Sequence, residues 1–164
     1  EQQVRGDVTK LLLQKHITVS AAESCTGGLI GKLLTDLPGS SSYFKGSAVT
    51  YWNEAKEKVL GVDGKTLLRY TAVSQEVAFQ MAEGSRKLYD ADIAVSTTGY
   101  AGPGLGERGE EPGLVYIGIS GPCGTEVHKE NFMGSRKRVR YGAAEKALYY
   151  IMQYVMDHKE YFEI

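Results

Sequence analysis

Apolar positions recur along this chain with two periods, and the switches between them mark out its elements. Val4, Val8, Leu11 and Leu12 fall at helical spacing across residues 3–15, with Lys15 closing the run, which predicts an amphipathic helix. His16 follows at the favourable C-terminal end of that helix and reads as a cap rather than a catalytic base. Ile17 to Ala22 then reads as a strand, and Gly28 to Leu37 as a second helix that Pro38-Gly39 stops. After a Ser40-Ser41-Ser42 loop, a strand is predicted from about Phe44 to Tyr51. Asn53 can cap a short helix to Leu60, ended by Gly61, and Lys65 to Arg69 makes another. Ser74 is placed as the N-cap of a helix to Tyr89 whose inward side carries Val77, Ala78, Met81, Ala82, Ser85 and Leu88.

Asp92 to Thr97 has a buried-strand centre, Ile93-Ala94-Val95. Residues 98–113 are rich in glycine and read as a long flexible loop, a length that is usually functional or mobile. Leu114–Ser120 and Glu126–Phe132 make a hairpin around Gly121-Pro122-Cys123-Gly124. A last helix over 135–157 turns Val139, Ala143, Ala147, Tyr150, Ile151 and Tyr154 inward. Helices alternating with strands, closed by a hairpin, predict one domain over residues 1–164. Its fold is a three-layer α/β/α sandwich with a mixed, mostly parallel sheet. Ligands of such folds bind at the carboxyl ends of strands, which points to Glu23–Gly28 and Thr97–Gly106.

The first of these stretches organises the chain. Val19-Ser20-Ala21-Ala22-Glu23-Ser24-Cys25-Thr26-Gly27-Gly28 opens as a buried strand and ends in small and glycine residues before an amphipathic run. A strand, tight turn and helix N-terminus lift a side chain above the sheet and point free N–H groups at what lies there. Ser24 and Cys25 both stand at the turn, and either could be a nucleophile. Gly27 and Gly28 let the backbone approach a ligand closely.

Composition removes several alternatives. The 164 residues support a real core, and a formal net charge of −1 gives no general attraction to nucleic acid or anionic membrane. The one basic run lacks interleaved aromatic stacking groups, which also disfavours a nucleic-acid partner. Cys25 and Cys123 make no disulfide framework, so a cytoplasmic, reducing setting is expected. Leu11-Leu12-Leu13 is too short for a membrane span or a signal segment. Because the chain opens on Glu1 rather than Met, residues before it are allowed for. His16, His128 and His158 are widely spread and show no metal-ligand spacing, so neither a metal nor another cofactor is expected. Eleven tyrosines are compatible with a homo-oligomer contact but do not require one.

Ala22-Glu23-Ser24-Cys25-Thr26-Gly27-Gly28 resembles the signature of the CinA C-terminal domain family, the nicotinamide mononucleotide amidases. So do Val49-Thr50-Tyr51-Trp52-Asn53-Glu54-Ala55-Lys56, Gly61-Val62, Ala72-Val73-Ser74 and Gly99-Tyr100-Ala101-Gly102-Pro103, in order and spacing, within a likeness running from about Asp7 to Tyr150. The resemblance implies an α/β/α sandwich that hydrolyses the carboxamide of nicotinamide mononucleotide to nicotinate mononucleotide and ammonia, without a cofactor. It also implies Ser24 as nucleophile, Lys56 as base and Tyr51 as a proton relay or positioning hydroxyl. Members of the family also occur fused behind a molybdopterin-binding-like domain, which these residues do not contain.

The chemistry fits those residue types. An amide is a poor electrophile, so an attacking serine needs a base and an oxyanion site. With no histidine in a glycine-rich segment, a neutral lysine is the natural base. Lowering a lysine pKa from about 10.4 to about 7–8 needs roughly 3–5 kcal/mol, which burial, a helix N-terminus and a neighbouring cation can supply. Glu23 could orient Lys56 or a ribose hydroxyl, or cap the following helix. Cys25, Thr26, Gly27 and Gly28, with Thr98, Gly99, Ala101 and Gly102 of the later loop, are the expected substrate contacts.

Arg136, Lys137, Arg138 and Arg140 open the last helix against its dipole, so they are either a solvated basic face or the seat of an anion such as a mononucleotide phosphate. Arg136 matches a Gly-x-Arg position of the family and is expected in an oxyanion or substrate role, with Arg140 a second phosphate contact. The sequence departs from the family at Ser135, where an acid is usual, at Tyr100, and at Gly104-Leu105-Gly106 with Glu111-Pro112 beyond. A second reading of the same pocket is a nucleotide-binding or partner-regulating module without efficient catalysis.

Overall fold

The computed structural model describes residues 2–164. Its helices are α1 (Gln2–Lys15), α2 (Leu29–Thr35), α3 (Asn53–Leu60), α4 (Gly64–Tyr70), α5 (Gln75–Tyr89), α6 (Arg136–Asp157) and α7 (Lys159–Phe162). The strands are β1 (Val19–Glu23), β2 (Phe44–Val49), β3 (Ile93–Gly99), β4 (Leu114–Gly121) and β5 (Gly124–Asn131). They form one sheet in the order β2-β1-β3-β4-β5. β1 pairs in parallel with β2 and β3, and the β3–β4 and β4–β5 pairings are antiparallel. Only β4 therefore runs against the other strands, which makes the sheet mixed, as expected. Helices α3, α4 and α5 cover one face and α1, α2 and α6 the other, completing three layers.

Two apolar clusters hold the layers together. Val8, Leu12, Ile30, Leu34, Val139, Leu148, Ile151 and Tyr154 pack with the sheet on the α6 side, and Leu60, Val62, Leu67, Val77 and Met81 pack on the α5 side. β1 lies between them with every residue buried. Its side chains alternate, as strand geometry requires, with Val19 and Ala21 in the first cluster and Ala22 in the second. The alternation continues past the strand end. Glu23 faces α2, Ser24 faces α3 and Cys25 returns to the α6-side core.

The element boundaries shift in instructive ways. β1 starts and ends later than the apolar run suggests, so Glu23 is a strand residue. β2 stops at Val49, two residues before Tyr51. β3 extends through Thr98 to Gly99, because antiparallel pairing with Tyr116 and Val115 draws those residues out of the predicted loop. α2 ends at Thr35, ahead of Leu37, and α3 has Trp52 as N-cap with Asn53 already helical. Ser74 and Ser135 do cap α5 and α6, each accepting from the amide three residues on. Leu88, expected inside, is half-exposed on α5. The predicted flexible loop is tied down by bonds from Gly106 N to Glu110 O and from the Arg108 guanidinium to Arg69 O. No described helix is long and apolar enough to cross a membrane.

Candidate active site

The end of β1 sets the geometry. Ser24 N donates to Thr97 O at 3.1 Å, and Thr50 N donates to Glu23 O at 2.8 Å. These bonds hold the three parallel strand ends side by side. Gly27 and Gly28 then turn the chain with φ values of 59° and 106°, a region costly to residues with a Cβ. Gly27 N donates back to Ser24 O at 3.1 Å, while the amides of Cys25 and Thr26 donate to no carbonyl among the described residues.

Ser24 meets Lys56 at this turn, with Lys56 Nζ 3.1 Å from Ser24 Oγ. Lys56 is 1 % exposed and forms no ion pair among the described residues. Its other partners are the carbonyls of Thr50 at 2.8 Å and Tyr51 at 3.0 Å. Burial lowers its pKa from the usual 10.5 to about 8. A neutral amine has two N–H groups and one lone pair. The protonated amine donates to all three oxygens; once it loses a proton, donation to the two carbonyls leaves its lone pair for the Ser24 hydroxyl.

Glu23 is fully buried and belongs to the turn's scaffold. Its carboxylate accepts from Thr26 Oγ1 (2.8 Å), the amides of Gly28 (3.1 Å), Ile30 (2.9 Å) and Gly31 (3.2 Å), and Ser47 Oγ (2.6 Å). Five donors and the positive end of α2 account for a buried carboxylate. Of the alternatives read from the sequence, capping is the one observed. Glu23 touches neither Lys56 nor solvent, so it is corrected from a substrate contact to a turn support. Thr26 is equally buried, with its hydroxyl donating to Glu23 and so accepting from Thr97 Oγ1 at 2.8 Å.

Cys25 is corrected as a rival nucleophile. Its thiol is 4 % exposed in the apolar cluster, and burial pushes its pKa up to about 12. A buried thiol held protonated is a packing group. Arg140 also differs from expectation: Nε donates to Cys25 O at 3.0 Å and Nη2 to Thr26 O at 3.1 Å. It clamps the turn from α6. A Cβ on Gly27 would stand 2.9 Å from Arg140 Nη2, so the glycine also makes room for this clamp.

Arg136 spans the opening at the start of α6, donating from Nη1 to Gly102 O at 2.8 Å and from Nη2 to the Tyr51 hydroxyl at 3.2 Å. Tyr51, expected as a proton relay or positioning hydroxyl, thus reaches Lys56 through its carbonyl and Arg136 through its hydroxyl, while Ser24 and Lys56 meet directly. The later loop is mostly structural. Thr98 Oγ1 donates to Ala72 O at 2.7 Å, and Ala101 is buried in the core. Gly99 lies against Leu114 O, where a Cβ would come within 2.6 Å. No described group of His, Cys, Asp and Glu side chains could hold a metal ion.

Sequence reasoning missed the carbonyls of Thr50 and Tyr51, which any residue supplies, and Thr97, whose partner lies across strands. Ser47 was also missed; the register pairs it with Ala21, two residues before Glu23 on the same face, and its hydroxyl reaches the Glu23 carboxylate from there.

A profile of the CinA C-terminal domain matches residues 1–155. The chain belongs to the CinA C-terminal domain family. A CinA-like protein of Endomicrobium trichonymphae is 52 % identical over 139 residues, 85 % of this chain and 32 % of that protein. One of Leptospira interrogans is 47 % identical over 144 residues, 87 % of this chain and 34 % of that protein. This CinA domain therefore spans about a third of the length of these curated relatives. Among solved structures, a CinA superfamily protein of Klebsiella pneumoniae 700603 superposes with a TM-score of 0.92 at 29 % identity, covering 95 % of this chain and 98 % of that one. The competence/damage inducible protein CihA of Agrobacterium tumefaciens gives 0.89 at 35 % identity, covering 93 % of each chain.

Proposed function

We propose that this CinA domain is a cofactor-free amidohydrolase that cleaves the carboxamide of nicotinamide mononucleotide to nicotinate mononucleotide and ammonia. The observation that carries the reading is the buried, carboxylate-free Lys56 amine 3.1 Å from Ser24 Oγ. Ser24 Oγ attacks the carboxamide carbon while its proton passes to Lys56 Nζ. The carbonyl oxygen becomes an oxyanion, for which the amides of Cys25 and Thr26, which donate to no carbonyl among the described residues, are candidate donors on the turn. Collapse of the tetrahedral species breaks the C–N bond, and Lys56 returns the proton to the leaving ammonia. Water then attacks the ester carbon with Lys56 again taking a proton, and nicotinate mononucleotide leaves as Ser24 is regenerated. Arg136 lies at the rim with a cationic group suited to the ribose phosphate.

The test is ammonia release from nicotinamide mononucleotide by the purified protein and by Ser24→Ala. Release by the wild type and its loss in the variant support the reading. Release by neither overturns the hydrolase, and nucleotide binding without release identifies a binding module. Undiminished release by the variant removes Ser24 from the mechanism.

A further inference from the structure

Two buried side-chain atoms among the described residues have no hydrogen-bond partner, Arg5 Nε and Thr50 Oγ1, and the second lies beside the proposed dyad. Thr50 follows β2, and its amide donates to Glu23 O at 2.8 Å, which carries the β1–β2 register one step past the Glu23–Val49 pair. Thr50 therefore stands level with Ser24. Register neighbours on adjacent strands are about 4.8 Å apart and project to the same face. Thr50 is 1 % exposed between the half-exposed Val49 and Tyr51. Its side chain thus turns inward, in phase with Ala48 and toward the α3 layer that Ser24 also faces. On the other side of Ser24, the Thr98 hydroxyl donates to Ala72 O at 2.7 Å. Of these three hydroxyls across the strand ends, that of Thr50 is the unpaired one.

An unpaired buried hydroxyl lowers stability, and valine would fill the same space without one. Thr50 Oγ1 is shut off from solvent, so its partner is a protein atom already beside it rather than a ligand arriving at the rim. Lys56 Nζ is not that atom. Its own Cε, the Thr50 and Tyr51 carbonyls and Ser24 Oγ fill the directions around it. Ser24 Oγ has Lys56 as its partner among the described residues and keeps a lone pair to spare. We propose that Thr50 Oγ1 is a second hydrogen-bond partner of the nucleophile, donating to Ser24 Oγ as negative charge builds there. The proposal rests on the amidase reading and deepens it. As Ser24 Oγ attacks the carboxamide carbon, its proton passes to Lys56. Thr50 keeps its own proton and, after a side-chain rotation, donates to the oxygen. When the ester C–O bond later breaks, the same donation steadies Ser24 Oγ until Lys56 returns a proton to it. A bond made in the transition state and absent at rest lowers the barrier without tightening substrate binding.

The experiment compares wild type, Thr50→Val and Thr50→Ser in three measurements. These are ammonia release from nicotinamide mononucleotide, p-nitrophenolate release from p-nitrophenyl acetate above a Ser24→Ala blank, and urea denaturation. All three proteins keep the Thr50 carbonyl that Lys56 uses. Thr50→Val should lose about 10²-fold in kcat with KM changed less than about threefold, the pattern of a donor engaged in the transition state. Its urea midpoint should equal or exceed that of wild type, since the resting fold loses no hydrogen bond. Thr50→Ser should recover kcat to within about tenfold of wild type. Wild-type kcat in Thr50→Val, or a change confined to KM, overturns the proposal and leaves the amidase reading standing. So does a fall in both kcat and urea midpoint that Thr50→Ser shares, which marks a packing role. A wild type that releases no ammonia, with Ser24-dependent p-nitrophenolate release that falls in Thr50→Val, supports the hydroxyl and removes the nicotinamide substrate. No Ser24-dependent release from either compound overturns both.

Discussion

Lys56 Nζ lies 3.1 Å from Ser24 Oγ, and its remaining partners are two backbone carbonyls rather than an acid. A charged lysine in that setting would be buried without a counter-ion, which is costly. The neutral form relieves the cost and leaves a base beside a hydroxyl. Lys56→Met is therefore expected to fold but to lose turnover by about 10²–10⁴-fold, the usual range for a general base. Lys56→Arg should be equally inactive, since a guanidinium keeps its proton at any working pH. Steady-state ammonia release, with circular dichroism as the check on folding, decides this. Turnover within a few-fold of wild type in either variant would exclude Lys56 as the base.

The lowered pKa predicts two pH profiles. Turnover should rise with pH to a plateau with a midpoint near 8, where Lys56 loses its proton. Stability should rise from the same pH, because from about 8 to 10.5 the unfolded chain holds a proton that the folded one has released. Cys25 acts with the opposite sign. Its thiol ionises near 9.0 when unfolded and near 12 when folded, so stability falls from about pH 9 upward. The two slopes offset each other above 9, confining the net rise from this pair to about pH 8–9. Cys25→Ala should extend the rise toward 10.5. Urea midpoints at pH 7 to 10.5 for both proteins test this, and a profile unchanged by the substitution would refute the opposing slopes.

Cys25 and Cys123 should differ sharply toward alkylating reagents. Cys123 is exposed and Cys25 is buried, with its thiol held protonated. Iodoacetamide at neutral pH is expected to label Cys123 alone and leave turnover unchanged, as read by peptide mass spectrometry alongside the activity assay. Inactivation that tracks labelling of Cys25 would restore the thiol as a candidate nucleophile.

Glu23→Ala should destabilise the fold rather than alter substrate recognition. The substitution leaves three amides and two hydroxyls without their shared acceptor. A loss of about 3 kcal/mol or more in unfolding free energy is expected, at the upper end for a single substitution. Urea denaturation measures it. A variant of wild-type stability would show that solvent or a rearranged turn replaces the carboxylate.

Arg140→Lys should lower kcat more than it raises KM. Lysine cannot reproduce the paired bonds to Cys25 O and Thr26 O that fix the turn carrying Ser24. A pure KM effect in steady-state kinetics would instead mark Arg140 as a phosphate contact.

The layers were legible in the sequence because helical spacing was clean over Val77–Ser85 and Ile93–Val95 made a short continuous apolar run. The Ser24 turn was legible because glycines and small residues follow a buried strand. What stayed hidden depended on direction rather than residue type. Ser24 and Cys25 are neighbours, and only the strand phase, fixed by a β1 that ends at Glu23, sends one to Lys56 and the other into the core. Glu23 looked equally suited to a ligand or a cap until its five donors were located. The acceptors of Lys56 are backbone carbonyls and leave no mark on composition. Thr98 and Gly99 looked like loop until the cross-strand partners in β4 were in place. The four-residue helix α7 had no apolar period long enough to announce it.

β1 is buried along its whole length, while Val49, Tyr51 and Trp52, at or just beyond its partner strand's end, stand open to water. Ser24 and Lys56 are thereby rooted in the least deformable part of the molecule, under a rim of side chains that packing does not constrain. On the proposed amidase reading, exchanging those exposed side chains would leave the Ser24–Lys56 pair beneath unaltered.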